Sequence, residues 1–137
     1  MMSALQLHIF RGVPGSGKST LARELGFPVV EADQFFTDED GNYNYDPAKI
    51  PDAHDWCQAK VEEHLARGQS VSVANVFSMI FRIETYIGMA MRHKAAIYIH
   101  ECTGRFQNIH GCPDSVVESM RQQWEEIPPW YQHYLAD

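Results

Sequence analysis

Short apolar runs alternate along the chain with segments whose apolar residues recur every three to four positions. The runs are of strand length and predict four buried strands, at residues 5–10, 28–32, 71–76 and 95–101. The helical spacing predicts four helices, at residues 19–25, 52–67, about 83–91 and about 113–124. Strands that alternate with helices favour right-handed crossovers and a parallel sheet covered on both faces.

The predicted fold is therefore a small α/β sandwich that forms one domain over residues 1–137, a usual length for a single domain. Asp52 is expected to cap the second helix. The stretch at residues 37–51, rich in Asp, Asn, Gly, Tyr and Pro, predicts an exposed loop. The aromatic tail at residues 130–135 is expected to pack against the body of the domain.

The strongest functional signal lies between the first strand and the first helix. The segment GVPGSGKS, from Gly12 to Ser19, matches the phosphate-binding pattern G-x-x-x-x-G-K-[ST] in full. Its glycines let backbone N–H groups point at phosphate oxygens, and the following helix directs its positive end at the anion. Lys18 adds charge for the β- and γ-phosphates, and the Ser19 hydroxyl is placed to ligate magnesium. The motif predicts binding of ATP with Mg²⁺ by Gly12, Val13, Pro14, Gly15, Ser16, Gly17, Lys18, Ser19 and Thr20.

Polar residues at the carboxyl ends of the other strands are candidates for chemistry, because ligands of a parallel sheet bind there. Asp33 follows the second strand and could take the proton of an attacking hydroxyl, or simply cap the next turn. Asn75, at the end of the third strand, could bind phosphate or a magnesium-bound water. Arg105, in a polar loop that could close as a lid, and Arg121 could stabilise the triphosphate, the alternative for both being a solvated arginine.

Further motifs follow the phosphate-binding loop in a fixed order. They are Ala32-Asp33-Gln-Phe-Phe36, Asp40-Gly-Asn-Tyr-Asn-Tyr-Asp46, Ala53-His54 and Asn108-Ile-His110-Gly111-Cys-Pro113. From about residue 7 to residue 124, the chain resembles the polynucleotide-kinase-like P-loop kinases, which are AAA-type ATP-binding domains. That family includes phage 5′-polynucleotide kinases and the kinase-like domain of an animal ubiquitin-ligase-binding protein.

The resemblance implies a three-layer P-loop NTPase fold with the strand order 2-3-1-4, with room for a fifth strand, and a lid at about residues 103–113. It implies a kinase that moves the ATP γ-phosphate to a hydroxyl, above all the 5′-hydroxyl of a nucleic acid. In that family's pattern Asp33 matches the general base, while Lys18 and Ser19 hold phosphate and magnesium. The lid matches the segment around Arg105, with Asn108 as its nucleotide-contacting asparagine.

Two positions depart from the family pattern. Ala74 replaces the aspartate that usually begins Asp-Asn-Thr at the end of the third strand, and Gln107 replaces an arginine before the lid asparagine. Two other functions therefore stay open. One is a small-molecule P-loop kinase, which the net charge of −7 favours. The other is a nucleotide-binding or regulatory protein with little catalysis, which Ala74 and Gln107 suggest.

Composition limits the remaining possibilities. The net charge of −7 argues against bulk non-specific nucleic-acid binding. No apolar run approaches the ~20 residues of a membrane helix, and the N-terminus is unlike a signal peptide, so no membrane partner is expected. Three cysteines cannot all pair within one chain, which fits thiols in the cytoplasm. The oligomeric state stays open.

A zinc site is a weaker possibility. His100, Cys102, His110 and Cys112 form the pattern H-x-C-x₇-H-x-C. This spacing is not one of the common structural zinc patterns.

Overall fold

Four parallel strands form the single sheet of the computed structural model, which describes residues 4–104 and 112–136. They are β1 (Gln6–Arg11), β2 (Val29–Val30), β3 (Val71–Asn75) and β4 (Ala96–Glu101). Their order is β2-β3-β1-β4, and every neighbouring pair is parallel. The predicted P-loop NTPase strand order 2-3-1-4 is thereby confirmed.

Helices follow the strands in alternation. They are α1 (Lys18–Glu24), α2 (Ile50–Ala66), α3 (Ile80–Arg92) and α4 (Asp114–Gln122), with 3₁₀-helices at Ala32–Phe36, Pro47–Lys49 and Pro129–Tyr134. Within residues 4–104 and 112–136, no helix has both the length and the apolar character needed to cross a membrane.

The start of α2 differs from the sequence prediction. The helix begins at Ile50, and Asp52 lies in its first turn rather than at its cap. Asp46 caps the preceding 3₁₀-helix instead, where its carboxylate accepts a hydrogen bond from the Ala48 N–H at 3.0 Å. Pro51 is tolerated in the first helical turn because an N–H there has no intrahelical partner.

The larger core fills the space between the sheet and the helix pair α2–α3. Alternate strand residues point to this side, because successive side chains of a strand face opposite ways. The fully buried strand residues here are Leu7, Ile9, Val71, Val73 and Ile99, and their helical partners include Cys57, Val61, Ile83 and Tyr86. A smaller cluster on the opposite face joins Phe10, Ala22, Ala74 and Cys102 beneath α1. The domain thus has the three layers expected of its fold class.

The aromatic tail packs against the larger core, as predicted. Tyr131, Tyr134 and Leu135 contact the core cluster. Leu135 forms a parallel bridge with Ile99, and the Ala136 N–H donates to the Ile99 carbonyl at 2.8 Å. In the described residues the fifth strand that the resemblance allowed is thus a single bridge beside β4.

Arg11 is fully buried at the end of β1, with 0% of its surface exposed. Its Nη2 donates to the carbonyls of Phe77 and Glu125, both at 2.8 Å, and its Nη1 forms an ion pair with Glu101 at 3.1 Å. Its guanidinium carbon lies 3.9 Å from the centre of the Trp124 ring. These contacts join β1 to the segment after β3, to β4 and to the segment after α4.

Replacing Arg11 with methionine should lower the free energy of unfolding by about 3 kcal/mol, because the two carbonyls and Glu101 would lose their donor. Urea denaturation measures the change. Arg67→Met is the control, since Arg67 pairs with Glu63 at the surface and should cost less than about 1 kcal/mol. Equal losses in the two variants would show that Arg11 does not hold the fold.

A histidine pair lies on the α1 face of the sheet. His8 is buried, with its Nδ1 2.8 Å from His100 Nε2 and its Nε2 2.8 Å from Gln6 Oε1. The His8 ring stacks on Tyr98 at 4.6 Å, and that of His100 on Phe10 at 4.1 Å. Burial, and then the charge of His100, lowers the pKa of His8 to about 4, and burial also lowers the pKa of His100.

Stability should fall as the pH is lowered from about 6.5 towards 4. In that pH range His8 is protonated in the unfolded chain but stays neutral in the folded protein, where it is buried. The expected loss from this group between pH 7 and pH 4.5 is about 2 kcal/mol, measured by urea denaturation. His8→Phe should flatten the dependence, whereas His133→Gln, at an exposed position, should leave it. An unchanged slope in His8→Phe would contradict the assignment.

Candidate nucleotide and acceptor site

The phosphate-binding loop occupies the turn between β1 and α1. Gly15 and Gly17 have φ values of 83° and 88°, the left-handed region in which glycine is unstrained. Such a turn lets consecutive backbone N–H groups converge on an anion. Gly12 permits close packing: a Cβ there would lie 2.1 Å from Ser16 Oγ and 2.9 Å from the Cys102 carbonyl oxygen. The loop therefore contains two glycines in the left-handed region and tolerates no side chain at its first position.

Two polar groups of the loop fit a bound anion. The Ser16 hydroxyl is buried and, among the described residues, has no hydrogen-bond partner. A buried hydroxyl without a partner is costly, so a phosphate oxygen would satisfy it. Lys18 is half-buried; burial lowers the pKa of its ammonium group, while the charges of Glu31 and Asp33 oppose that shift. The loop residues thus suit a triphosphate.

Ser19, the predicted magnesium ligand, contacts a carboxylate that the sequence reasoning did not select. Its hydroxyl donates a hydrogen bond to Glu31 Oε1. Glu31 follows β2 directly and is half-buried. The sequence signal that could have identified Glu31 is its position at the end of a strand, two residues before Asp33. Hydroxyl and carboxylate oxygens are the donors that Mg²⁺ takes, so this pair fits the metal of an Mg·ATP complex.

Asp33 is exposed in the 3₁₀-helix after β2 and, like the phosphate-binding loop, follows the carboxyl end of a strand of the parallel sheet. The Tyr43 hydroxyl donates to its Oδ1 at 3.2 Å. The charge of Asp33 raises the pKa of Lys18 against the effect of burial, and it acts on His54 in the same way. Asp33 and Lys18 thus both follow carboxyl ends of strands in the same parallel sheet, and the charge of Asp33 acts on Lys18. The hydrogen bond between Tyr43 and Asp33 was not predicted from the sequence.

Asn75 is buried at the end of β3 and braces the neighbouring strand end. Its Oδ1 accepts a hydrogen bond from the Ala32 N–H at 2.8 Å, and its Nδ2 donates to Cys57 Sγ at 3.6 Å. These contacts hold the segment that carries Glu31 and Asp33. The role of Asn75 as a phosphate or water ligand stays a prediction.

Of the two predicted arginines and the lid asparagine, the structure describes Arg121 alone. Arg105 and Asn108 lie outside the described residues, as does most of the predicted lid. Where the described chain stops, the Gly104 N–H donates to the Ser16 carbonyl at 3.1 Å, so the lid segment starts against the phosphate-binding loop. Arg121 lies in the last turn of α4, where its Nη1 pairs with Glu118 at 3.0 Å. Its predicted contact with nucleotide stays a prediction.

His110 of the weaker zinc pattern lies outside the described residues. His100 bonds His8, and residues 4–104 with 112–136 contain no group of three or more metal-ligating side chains.

A comparison with protein families agrees with this fold and with this site. Residues 7–105 match the model of the family described as AAA domain, so the chain belongs to that family. Its phosphate-binding loop and strand order are those of a P-loop kinase-type domain. The resemblance to the polynucleotide-kinase-like P-loop kinases is thus confirmed at the level of family and fold.

Individual relatives cover the chain to different extents. Human NEDD4-binding protein 2 is 27% identical over an alignment of 139 positions, which covers 90% of this chain and 8% of that protein. A chain of the Pnkp1/Rnl/Hen1 RNA repair complex has a TM-score of 0.67 and 21% identity, covering 90% of this chain and 45% of its own. A gluconokinase from Sinorhizobium meliloti 1021 has a TM-score of 0.60 and 18% identity, covering 98% and 82%. The chain thus spans less than half of the first two relatives, and both solved structures show the fold alone.

Gly12→Ala should lower ATP affinity by at least about tenfold, because the added Cβ would push Ser16 and the loop out of position. Isothermal titration calorimetry measures the affinity. Gly88→Ala is the matched control: its Cβ would come no nearer than 3.9 Å to Arg92 Nη1, and alanine within α3 should add about 0.5–1 kcal/mol of stability. Normal ATP affinity in Gly12→Ala would remove this loop from the binding site.

Proposed function

We propose that the protein is an ATP-dependent kinase that transfers the γ-phosphate to a hydroxyl group, with the 5′-hydroxyl of a nucleic acid as its acceptor. The observation that carries the proposal is that Lys18 and Ser19, at the start of α1, and Asp33, in the 3₁₀-helix after β2, all follow carboxyl ends of strands in one parallel sheet, with the charge of Asp33 acting on Lys18. ATP and Mg²⁺ are the proposed cofactors, and the cytoplasm is the proposed location.

In the proposed reaction, the acceptor oxygen attacks the γ-phosphorus, its proton passes to Asp33, and the bond to the β–γ bridging oxygen breaks to release ADP. Lys18 and the loop amides stabilise the charge on the phosphate oxygens. Asp33 suits the role of base because it is exposed and its Oδ1 is oriented by the Tyr43 hydroxyl at 3.2 Å. Mg²⁺, when bound with ATP, would supply further charge neutralisation.

Support for a nucleoside acceptor comes from a tyrosine pair beside Asp33. The rings of Tyr43 and Tyr45 are nearly parallel, with an interplanar angle of 5° and centres 6.3 Å apart. Their side chains are 37% and 52% exposed. Exposed aromatic faces stack on nucleobases at about 1–3 kcal/mol per base. The pair could therefore stack on the terminal base while Asp33 accepts the proton of the 5′-hydroxyl of the same nucleotide.

A small-molecule acceptor is the second candidate, and the charge around Asp33 favours it. The segment of residues 31–55 carries a single lysine, Lys49, against eight carboxylates: Glu31, Asp33, Asp38, Glu39, Asp40, Asp46, Asp52 and Asp55. This field opposes the approach of a phosphodiester backbone and favours a neutral or cationic hydroxyl compound.

Incubation with γ-labelled ATP, Mg²⁺ and 5′-hydroxyl oligonucleotides, with a parallel panel of small hydroxyl compounds, tests both candidates. Asp33→Asn should lower transfer by about 10²–10⁴-fold while leaving ATP affinity unchanged, because it removes only the base. Lys18→Ala should lower ATP affinity itself. Asp40→Asn, in the exposed loop, serves as the control.

Label on oligonucleotides supports the nucleic-acid acceptor, and label confined to small compounds supports the second candidate. Tight ATP binding with no acceptor labelled, and no effect of Asp33→Asn on any turnover, would instead identify a nucleotide-binding protein with little catalysis. That last result would overturn the proposed kinase activity.

A further inference from the structure

We propose that Glu31 supplies the carboxylate of the magnesium site, in place of the aspartate missing at the end of β3; this inference rests on the proposed Mg·ATP function. The observation behind it is the hydrogen bond from the Ser19 hydroxyl to Glu31 Oε1. Ser19 is the motif residue whose oxygen is expected to meet the metal. A carboxylate bonded to that hydroxyl lies where a second ligand is needed.

The end of β3 offers no charge to this site. Ala74 is 2% exposed and packs with Phe10, Ala22 and Cys102 beneath α1. A carboxylate in this apolar cluster would be costly to bury. Asn75 is neutral, and its amide bonds Ala32 and Cys57. The negative charge for a divalent cation must therefore come from another element.

β2 delivers Glu31 to this point. Val29 pairs with Ser72, and Val30 with Val73, which sets the end of β2 beside the end of β3. The hydrogen bond between the Ala32 N–H and Asn75 Oδ1, at 2.8 Å, then fixes the residue that follows Glu31. The Glu31 carboxylate is thus positioned by backbone pairing and by a buried amide.

The charges around Glu31 fit a cation next to phosphate. Its charge opposes the burial-driven lowering of the Lys18 pKa, so the carboxylate that bonds Ser19 also acts on Lys18. Mg²⁺ is usually held by one or two carboxylates together with phosphate oxygens and water, not by a cage of protein ligands. One hydroxyl and one carboxylate beside a triphosphate loop form such a set.

Glu31 and Asp33, which both follow β2, would then have different roles. Glu31 bonds Ser19 and is half-buried, on the nucleotide side, whereas exposed Asp33 bonds Tyr43 on the acceptor side. The two carboxylates should therefore affect different measurements: Glu31 the coupling between Mg²⁺ and ATP, and Asp33 the transfer step.

The test compares the ATP affinity of wild type and Glu31→Gln by calorimetry, with saturating Mg²⁺ and with EDTA. Wild type should bind ATP more tightly with Mg²⁺. In Glu31→Gln this enhancement should fall by about 10–100-fold, the usual effect of weakening a metal's ligand set, while the EDTA affinity stays within about threefold. Mn²⁺ bound in the presence of ATP, counted by electron paramagnetic resonance, should fall in parallel. Glu39→Gln, in the exposed loop, should behave as wild type.

A full Mg²⁺ enhancement in Glu31→Gln would overturn the inference, and so would an equal loss with Mg²⁺ and with EDTA, which marks a purely structural role. Glu31→Asp covers the case in which Glu31→Gln does not fold: it keeps the charge but withdraws the carboxylate by one methylene, and its enhancement should drop several-fold. Wild type that binds no ATP under either condition would instead refute the proposed function.

Discussion

The buried guanidinium of Arg11 is the constraint on which the site depends, because the phosphate-binding loop starts at the next residue. A charged group without exposure is costly unless it is fully bonded, and here carbonyls, Glu101 and the Trp124 ring surround it. The network can be satisfied only when the segments after β3 and α4 and the end of β4 are in place. The start of the loop is thus fixed by β4 and by the segments after β3 and α4 rather than by its own local sequence.

A loop held in this way is prepared for an anion at some cost to its own stability. The buried Ser16 hydroxyl lacks a partner within the described residues, and Lys18 is partly desolvated. Each of these features is unfavourable by itself and would be offset by a negatively charged oxygen bound at the loop. Such local conflicts are typical of functional sites, which deviate from the rules that the core obeys.

The sequence predicted the features that depend on local pattern, and it missed those that depend on distant side chains. Strand runs, helical spacing and the G-x-x-x-x-G-K-[ST] motif are periodic or contiguous, so they located the sheet and the loop. The Ser19–Glu31 and Ala32–Asn75 contacts join residues 12 and 43 positions apart, and only the folded chain pairs them. The prediction that α2 starts at its cap Asp52 was wrong, because Asp46 caps the 3₁₀-helix that leads directly into a helix beginning at Ile50. The predicted first strand stopped at residue 10, before Arg11, whose hydrogen-bond partners Phe77 and Glu125 are distant in the sequence.

The two edges of the sheet also bear on how copies of the domain behave in solution. An edge strand with a long row of unpaired backbone groups is a template for another strand and promotes aggregation. Here one edge is β2, which has only two residues, and at the other edge Ile99 of β4 is met by Leu135 and Ala136. The β2 edge therefore offers only a short ladder to an incoming chain, and on β4 the tail already occupies the position beside Ile99. Both features oppose growth of the sheet by strand addition.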